Sequence, residues 1–286
     1  MAYSARVISY LKMIKFSHSL FALPFAFSSA VLAAGGLPET NITLWITVAM
    51  VSARSAAMGL NRVIDRKIDA QNPRTKNREI PAGVISTAQA AAFIALSSII
   101  FVFSAYMLNP LCLKLSPIVL VVIYLYSYTK RLTWGCHIVL GVAIALAPLG
   151  AWIAVRGSVS WEAVPLSAAV VFWLAGFDIL YALQDIEFDR QYGLFSIPQR
   201  FGVRRSLFIA RGFHFLTWIF LMTCGGVFHL GIVYYTGMAI VAGLLIYEHN
   251  LVRPGDLSKL DMAFFNMNGY ISVTVLVFIA LDKLFK

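Results

Sequence analysis

Charge is scarce in this chain. Only 13% of its 286 residues are charged while 60% are hydrophobic, and mean hydropathy is +0.79. A soluble domain carries about 25% charged residues, so an ordinary water-soluble globule is excluded. Cysteine is scarcer still. Cys112, Cys136 and Cys224 lie far apart, with neither the paired spacing of a zinc site nor the even count of a disulfide framework, and read as helix-packing thiols. The five histidines are scattered over different apolar runs and argue against haem or zinc. Acids number 13 against 23 Lys and Arg. That excess suggests nucleic acid, but no nucleic-acid motif accompanies it and most of the cations sit in short loops between apolar runs. The N-terminus lacks a signal-peptide pattern: Tyr3, Val7, Tyr10 and Ile14 recur at helical spacing with Arg6, Lys12 and Lys15 among them, which predicts an interfacial amphipathic helix over 1–15.

What the chain has in abundance is apolar runs of membrane-spanning length. About 20 apolar residues cross a bilayer as a helix, and nine runs qualify: 17–35, 41–60, 86–108, 115–129, 136–155, 161–183, 206–224, 228–247 and 263–284. Turn residues separate them, as in Gly35-Gly36-Leu37-Pro38, Asn109-Pro110 and Gly225-Gly226. The expected fold is therefore an all-α polytopic membrane protein with nine transmembrane helices, forming one domain over 1–286.

Loop charge predicts the orientation. The N-terminal segment and the loops 61–85, 130–135, 184–205 and 248–262 hold 17 of the 23 Lys and Arg. The positive-inside rule then places these loops and the N-terminus in the cytoplasm and the C-terminus outside.

Two acidic motifs stand at cytoplasmic ends of spans. Asn61, Asp65 and Asp69 are spaced by four, and Tyr181, Asp185 and Asp189 repeat the arrangement about 120 residues later. Residues i and i+4 share a helix face, so each pair sets two like charges together, which is unfavourable without a cation. Carboxylates and an Asn amide are hard oxygen donors and point to Mg²⁺, which is held by one or two carboxylates together with substrate phosphate. The plain alternative is a solvated helix end, balanced by Arg62, Arg66, Lys67 and Arg190. Each motif continues inward as a polar stripe, through Arg54 in the first and Asp178 in the second. A charge inside a span costs about 2.5–3.5 kcal/mol on insertion scales and marks a candidate site; Arg211 is the other such cation. Beyond the first motif, Arg74, Lys76 and Arg78 alternate in a loop suited to a diphosphate, since Arg grips phosphate oxygens in a fork. A lipid-facing positive loop is the alternative there.

Asn61-x-x-x-Asp65-x-x-x-Asp69, the loop Arg74-Thr75-x-Asn77-Arg78-x-x-Pro81-x-Gly83, and Tyr181-x-x-x-Asp185-x-x-x-Asp189 resemble the UbiA superfamily of intramembrane prenyltransferases, and within it most of all the 4-hydroxybenzoate polyprenyltransferases of ubiquinone synthesis. The likeness extends to Lys130-Arg131, to Asp178 and to 263–268, nearly the whole chain. One departure is Arg62, where many members carry an acid.

The resemblance implies a helical bundle around a central cavity open sideways to lipid, in a bacterial-type inner membrane with the active site cytoplasmic. It implies Mg²⁺ held by Asn61, Asp65, Asp69, Asp185 and Asp189 on a polyprenyl diphosphate, with Arg74, Lys76, Arg78, Lys130 and Tyr181 on the phosphates. The allylic cation would be transferred to the ring of 4-hydroxybenzoate ortho to its hydroxyl, with Asp69 or Asp189 taking a proton and with Arg131, Arg54 and Asp178 around the acceptor. Tyr124, Tyr126, Tyr128 and Phe177 are candidate aromatic faces for the cation. A dihydroxynaphthoate acceptor, as in menaquinone routes, fits the same motifs. An ion-coupled transporter is the reading from another class, opposed by acids at one membrane face rather than at midplane.

Overall fold

Inside a bilayer every backbone N–H and C=O must find its partner within the chain, which confines spanning segments to helices or closed barrels. The structure, a computed structural model, describes residues 2–14, 22–253, 256–257, 260–262 and 266–285. These are helical throughout, with no strand among them and only an isolated bridge pairing Arg253 and Asp256. The helices are α1 (Ala2–Met13), α2 (Leu23–Ala34), α3 (Thr40–Gln71), α4 (Thr87–Leu108), α5 (Pro110–Thr129), α6 (Cys136–Arg156), α7 (Val164–Ala182), α8 (Ile186–Gln191), α9 (Ile197–Val227), α10 (Ile232–Leu251), α11 (Leu260–Met262) and α12 (Asn268–Leu284). Among the described residues seven helical segments are long and apolar enough to span: α3 to α6, α7 with its flanking turns and α8, α9 and α10. They match the second to eighth predicted runs, and the chain is a multi-pass membrane protein. The first and ninth runs appear as α2, with 12 residues, and α12, with 17; both are apolar and each adjoins residues outside the described set.

Local chemistry explains the boundaries. Gly35 and Gly157 end α2 and α6 in the left-handed conformation, with φ of 71° and 69°, which only glycine adopts without strain. Ser86 and Gln89 form a reciprocal capping box at the start of α4.

The chain forms two compact units. The first comprises residues 1–20 and 44–128. In it the end of α1 packs onto protein: Tyr10 stacks on Phe93 at 5.1 Å, and Met13 and Ile14 are buried with Ile85 and Ala90. The apolar stripe read from the sequence as interfacial is thus, at Tyr10 and Ile14, a docking stripe. Gly59 admits Ile94 of α4 against α3, and the Tyr124 hydroxyl of α5 bonds to Ser98 of α4. Outward, α4 and α5 expose Leu96, Ile99, Val121 and Leu125, a surface suited to hydrocarbon.

The second unit comprises residues 21–43 and 129–286. Trp152 and Trp173 are fully enclosed there, and Phe25 packs on Trp173 at 4.8 Å. The backbones of α6 and α7 touch at Gly141, where a Cβ would lie 2.3 Å from the Val171 carbonyl oxygen. Gly176 does the same for a side chain, letting the His214 ring of α9 lie on α7 and reach the Trp173 carbonyl at 3.2 Å.

Candidate active site

The first motif lies on the single 32-residue helix α3, so its four-residue spacing does place Asn61, Asp65 and Asp69 on one face. The Asn61 amide donates to Asp65 Oδ2 at 3.3 Å. Asp65 and Asp69 are 3% and 4% exposed, too enclosed to be a solvated helix end. Arg62, the residue that departs from the resemblance, is buried beside the two acids, one turn before Asp65 and two before Asp69; its Nε donates to the Met13 carbonyl at 3.1 Å, so it fastens the end of α1 to α3. Seven residues before Asn61, the Nε of Arg54 is buried without an acceptor among the described residues. A buried guanidinium donor left open is costly unless a ligand completes it.

The loop after α3 folds back on the helix that precedes it. Asn72 accepts from the backbone N–H of Arg74 through its side chain, and from those of Thr75 and Lys76 through its carbonyl, each at 2.9 Å. Thr75 Oγ1 donates to the Asp69 carbonyl at 3.1 Å. This turn carries Arg78 onto Asp69, where one Nη1 reaches both carboxylate oxygens at 2.7 and 2.8 Å. Arg74 and Lys76 are exposed. The three alternating cations are therefore not equivalent: one is committed to the acidic motif and two face outward.

The second motif is built differently. Its spacing predicts one helical stripe from Asp178 to Asp189, but α7 ends at Ala182, a 3₁₀ turn occupies Leu183–Asp185, and α8 begins at Ile186. A 3₁₀ turn winds at about 3.0 residues per turn against 3.6 in an α-helix, so Asp185 and Asp189 are rotated away from the face that carries Asp178. Asp185 and Tyr181 are half-buried. Asp189 is 8% exposed and accepts from Ser196 Oγ at 2.9 Å. Ser196 is also the N-cap of α9, accepting from the Gln199 N–H at 3.1 Å.

Asp178 pairs with His137 of α6, Nδ1 to Oδ2 at 2.7 Å, while the Ile197 N–H donates to His137 Nε2 at 3.2 Å. The scatter of the histidines, which argues against haem or zinc, does not by itself give His137 a partner. A polar ring at the start of an apolar span must find partners, and that was the available signal; its partners, 41 and 60 residues away, were not legible. Nearby, the Phe195 N–H donates to the Lys130 carbonyl at 2.7 Å and Cys136 Sγ meets the Phe195 carbonyl at 3.5 Å. Lys130, half-buried like Arg131, thus stands beside the entry to α9 in space. Of the candidate aromatic faces, Phe177 is buried edge-on against Trp173 at 5.2 Å, and Tyr128 is exposed. Arg211 is exposed, and 263–265 lie outside the described residues.

Among the described residues no three His, Cys, Asp or Glu side chains gather into a ready-made metal cage. Mg²⁺ does not ask for one: it takes one or two carboxylates and completes its shell with water and substrate phosphate. Oxygen donors that are enclosed and partly paired, as Asp65 and Asp189 are, fit that mode.

The chain matches the model of the UbiA prenyltransferase family over residues 22–270. It is 28% identical over 247 residues to a protein of Vibrio campbellii named 4-hydroxybenzoate octaprenyltransferase, covering 86% of each chain. Its fold superposes on a UbiA homolog from Aeropyrum pernix K1 with a TM-score of 0.84 and 31% identity, over 93% of this chain and 98% of that one. A UbiA homolog from Archaeoglobus fulgidus, bound to DMAPP and Mg²⁺, shares the fold at a TM-score of 0.66 and 18% identity, over 93% and 99%. This chain, with its enclosed acidic motifs on apolar helices, belongs to the UbiA prenyltransferase family and is a membrane prenyltransferase.

Proposed function

We propose that the protein transfers a polyprenyl chain from polyprenyl diphosphate to the ring of 4-hydroxybenzoate, ortho to the hydroxyl, in a Mg²⁺-dependent step of ubiquinone biosynthesis. The reaction breaks the allylic C–O bond, forms a C–C bond to the ring and releases the ring proton. The name of the relative from Vibrio campbellii supports the acceptor, and the Archaeoglobus fulgidus homolog bound to DMAPP and Mg²⁺ supports the donor and the metal. Family membership leaves the transporter reading without support.

The observation that carries the proposal is the Asp69–Arg78 pair. A diphosphate reaching the loop offers Arg78 a second anionic partner, and Asp69 is then released to a cation. Asn61, Asp65 and Asp69 in one motif, and Asp185 and Asp189 in the other, would supply the oxygen donors for Mg²⁺. Bound Mg²⁺ would supply charge stabilisation to the departing diphosphate. Arg74, Lys76, Arg78 and Lys130 neutralise the same charge, and Tyr181 donates to it. Arg131 holds the acceptor's carboxylate, with Arg54 the alternative, and Asp178 holds its hydroxyl. The chain works as one domain in a bacterial inner membrane, with nine spans, an N-terminal helix at the interface and the active site facing the cytoplasm.

The test supplies the purified chain in detergent with geranyl diphosphate, Mg²⁺ and either 4-hydroxybenzoate or 1,4-dihydroxy-2-naphthoate, and reads product mass. A prenylated hydroxybenzoate that disappears with EDTA is the expected result. Product from the naphthoate alone would overturn the acceptor, and undiminished product in both Asp65→Ala and Asp185→Ala would overturn the metal assignment.

A further inference from the structure

Among the described residues His137 is the one histidine whose two ring nitrogens are both engaged by the second motif's surroundings, and the geometry determines its proton. A backbone N–H can only donate. Because the Ile197 N–H points at Nε2, that nitrogen presents its lone pair, and the proton of the neutral ring resides on Nδ1, facing Asp178 Oδ2 at 2.7 Å. The ring is 2% exposed and cannot turn without abandoning both bonds, whereas the Asp178 side chain retains 26% exposure. One side of this carboxylate is thus occupied by a buried, fixed donor while the rest remains open.

The other carboxylates of the two motifs are held in different company. Asp69 is gripped through both oxygens by a guanidinium, which disfavours proton uptake. Asp189 takes a hydroxyl from Ser196, the residue that caps α9. Asp178 alone is oriented by a neutral ring that is itself anchored to the first N–H of α9, a donor left over at any helix start. The N-terminus of α9 therefore steadies both Asp189, through Ser196, and Asp178, through His137.

We propose that His137 is a positioning residue for the acceptor step. Resting on the aromatic prenyl transfer proposed above, it presents Nδ1–H to Asp178 so that the carboxylate keeps one orientation and accepts the hydrogen bond of the acceptor's phenolic hydroxyl. As the allylic C–O bond breaks and the ring carbon bonds to the allyl carbon, positive charge spreads to that hydroxyl. Asp178 stabilises it, the diphosphate leaves with the electron pair of the broken C–O bond, and the ring proton passes to Asp69 or Asp189 as the aromatic system is restored. His137 exchanges no proton in this scheme.

The experiment compares the full chain with His137→Leu, His137→Gln and Asp178→Asn, using geranyl diphosphate, Mg²⁺ and 4-hydroxybenzoate. A hydrogen bond to a charged group is worth enough for a loss of about ten- to a hundredfold in kcat/KM. His137→Leu is expected to show that loss for 4-hydroxybenzoate, with KM for geranyl diphosphate unchanged. His137→Gln, whose amide offers both a donor for Asp178 and an acceptor for the Ile197 N–H, recovers activity to within a few-fold. The double variant His137→Leu/Asp178→Asn is no slower than Asp178→Asn alone. Thermal unfolding separates a folding defect from a kinetic one, and should His137→Leu not fold, His137→Met replaces it as a variant that keeps the bulk and offers Asp178 no donor. Equal losses in the Leu and Gln variants, a change carried by the diphosphate KM, or additive losses in the double variant would overturn the proposal. Wild-type chain that prenylates no aromatic acid would instead overturn the reading beneath it.

Discussion

The Asp69–Arg78 pair permits a sharp energetic test. Asp69 is 4% exposed, so Arg78→Met strands a carboxylate that water does not reach. Breaking a buried ion pair from one side costs about 3–5 kcal/mol; the Arg78 side chain is 20% exposed, which places this pair near the lower end, at about 3 kcal/mol. The reverse substitution is milder. In Asp69→Asn the guanidinium can swing into water, and the cost is about 1 kcal/mol. In the double variant nothing charged is stranded, so its cost falls below that of Arg78→Met alone and the coupling is about 2 kcal/mol. The assay is the thermal unfolding midpoint in one detergent with EDTA, where each kcal/mol corresponds to roughly 2–4 °C for a domain of 150–250 residues. Adding Mg²⁺ should restore part of the loss in Arg78→Met and none in the double variant. Strictly additive single costs, or a larger loss from Asp69→Asn than from Arg78→Met, would refute the reasoning.

Three further outcomes follow from the packing. Gly141→Ala drives a Cβ into the Val171 backbone carbonyl, which cannot swing aside, and should destabilise by about 1–3 kcal/mol by thermal unfolding. Ser196→Ala removes the N-cap of α9 and the hydroxyl on Asp189 together; it should cost about 1–2 kcal/mol and lower prenyl transfer, and a loss of stability with unchanged turnover would separate cap from site. Glu248 is fully enclosed, with neither carboxylate oxygen hydrogen-bonded among the described residues and His214 Nδ1 3.7 Å away. Glu248→Met should therefore match or exceed wild-type stability, and a marked loss on that substitution would show that the carboxylate is needed.

The spanning helices were legible because hydropathy is a sum over about 20 residues and survives local irregularity. The first acidic motif was legible for a similar reason: α3 runs unbroken, so sequence spacing and spatial spacing agree. The second was legible in composition but not in geometry. Tyr181-Ala-Leu-Gln-Asp185 contains neither glycine nor proline, and nothing local announces the 3₁₀ turn. Arg62 and His137 were misjudged from the other direction. Neither role was legible, because the groups they serve, the Met13 carbonyl and the Asp178 carboxylate, come from distant helices. The alternation with Arg74 and Lys76 makes Arg78 a candidate phosphate ligand, but its partner Asp69 depends on a turn whose bonds run through Asn72 and Thr75.

The bond from Arg62 to the Met13 carbonyl also bears on the order in which the protein is assembled. Its ends lie 49 residues apart, so α1 has no seat until most of α3 has followed it. During that interval the amphipathic segment must wait at the membrane surface, and its docking then closes over the helix turn that carries Asp65. A version of the chain begun after Met13 would insert its spans normally, yet leave a buried guanidinium with its acceptor missing beside the acidic motif. Loss of activity in such a truncation, with membrane insertion intact, would then report on a missing latch rather than on a missing ligand.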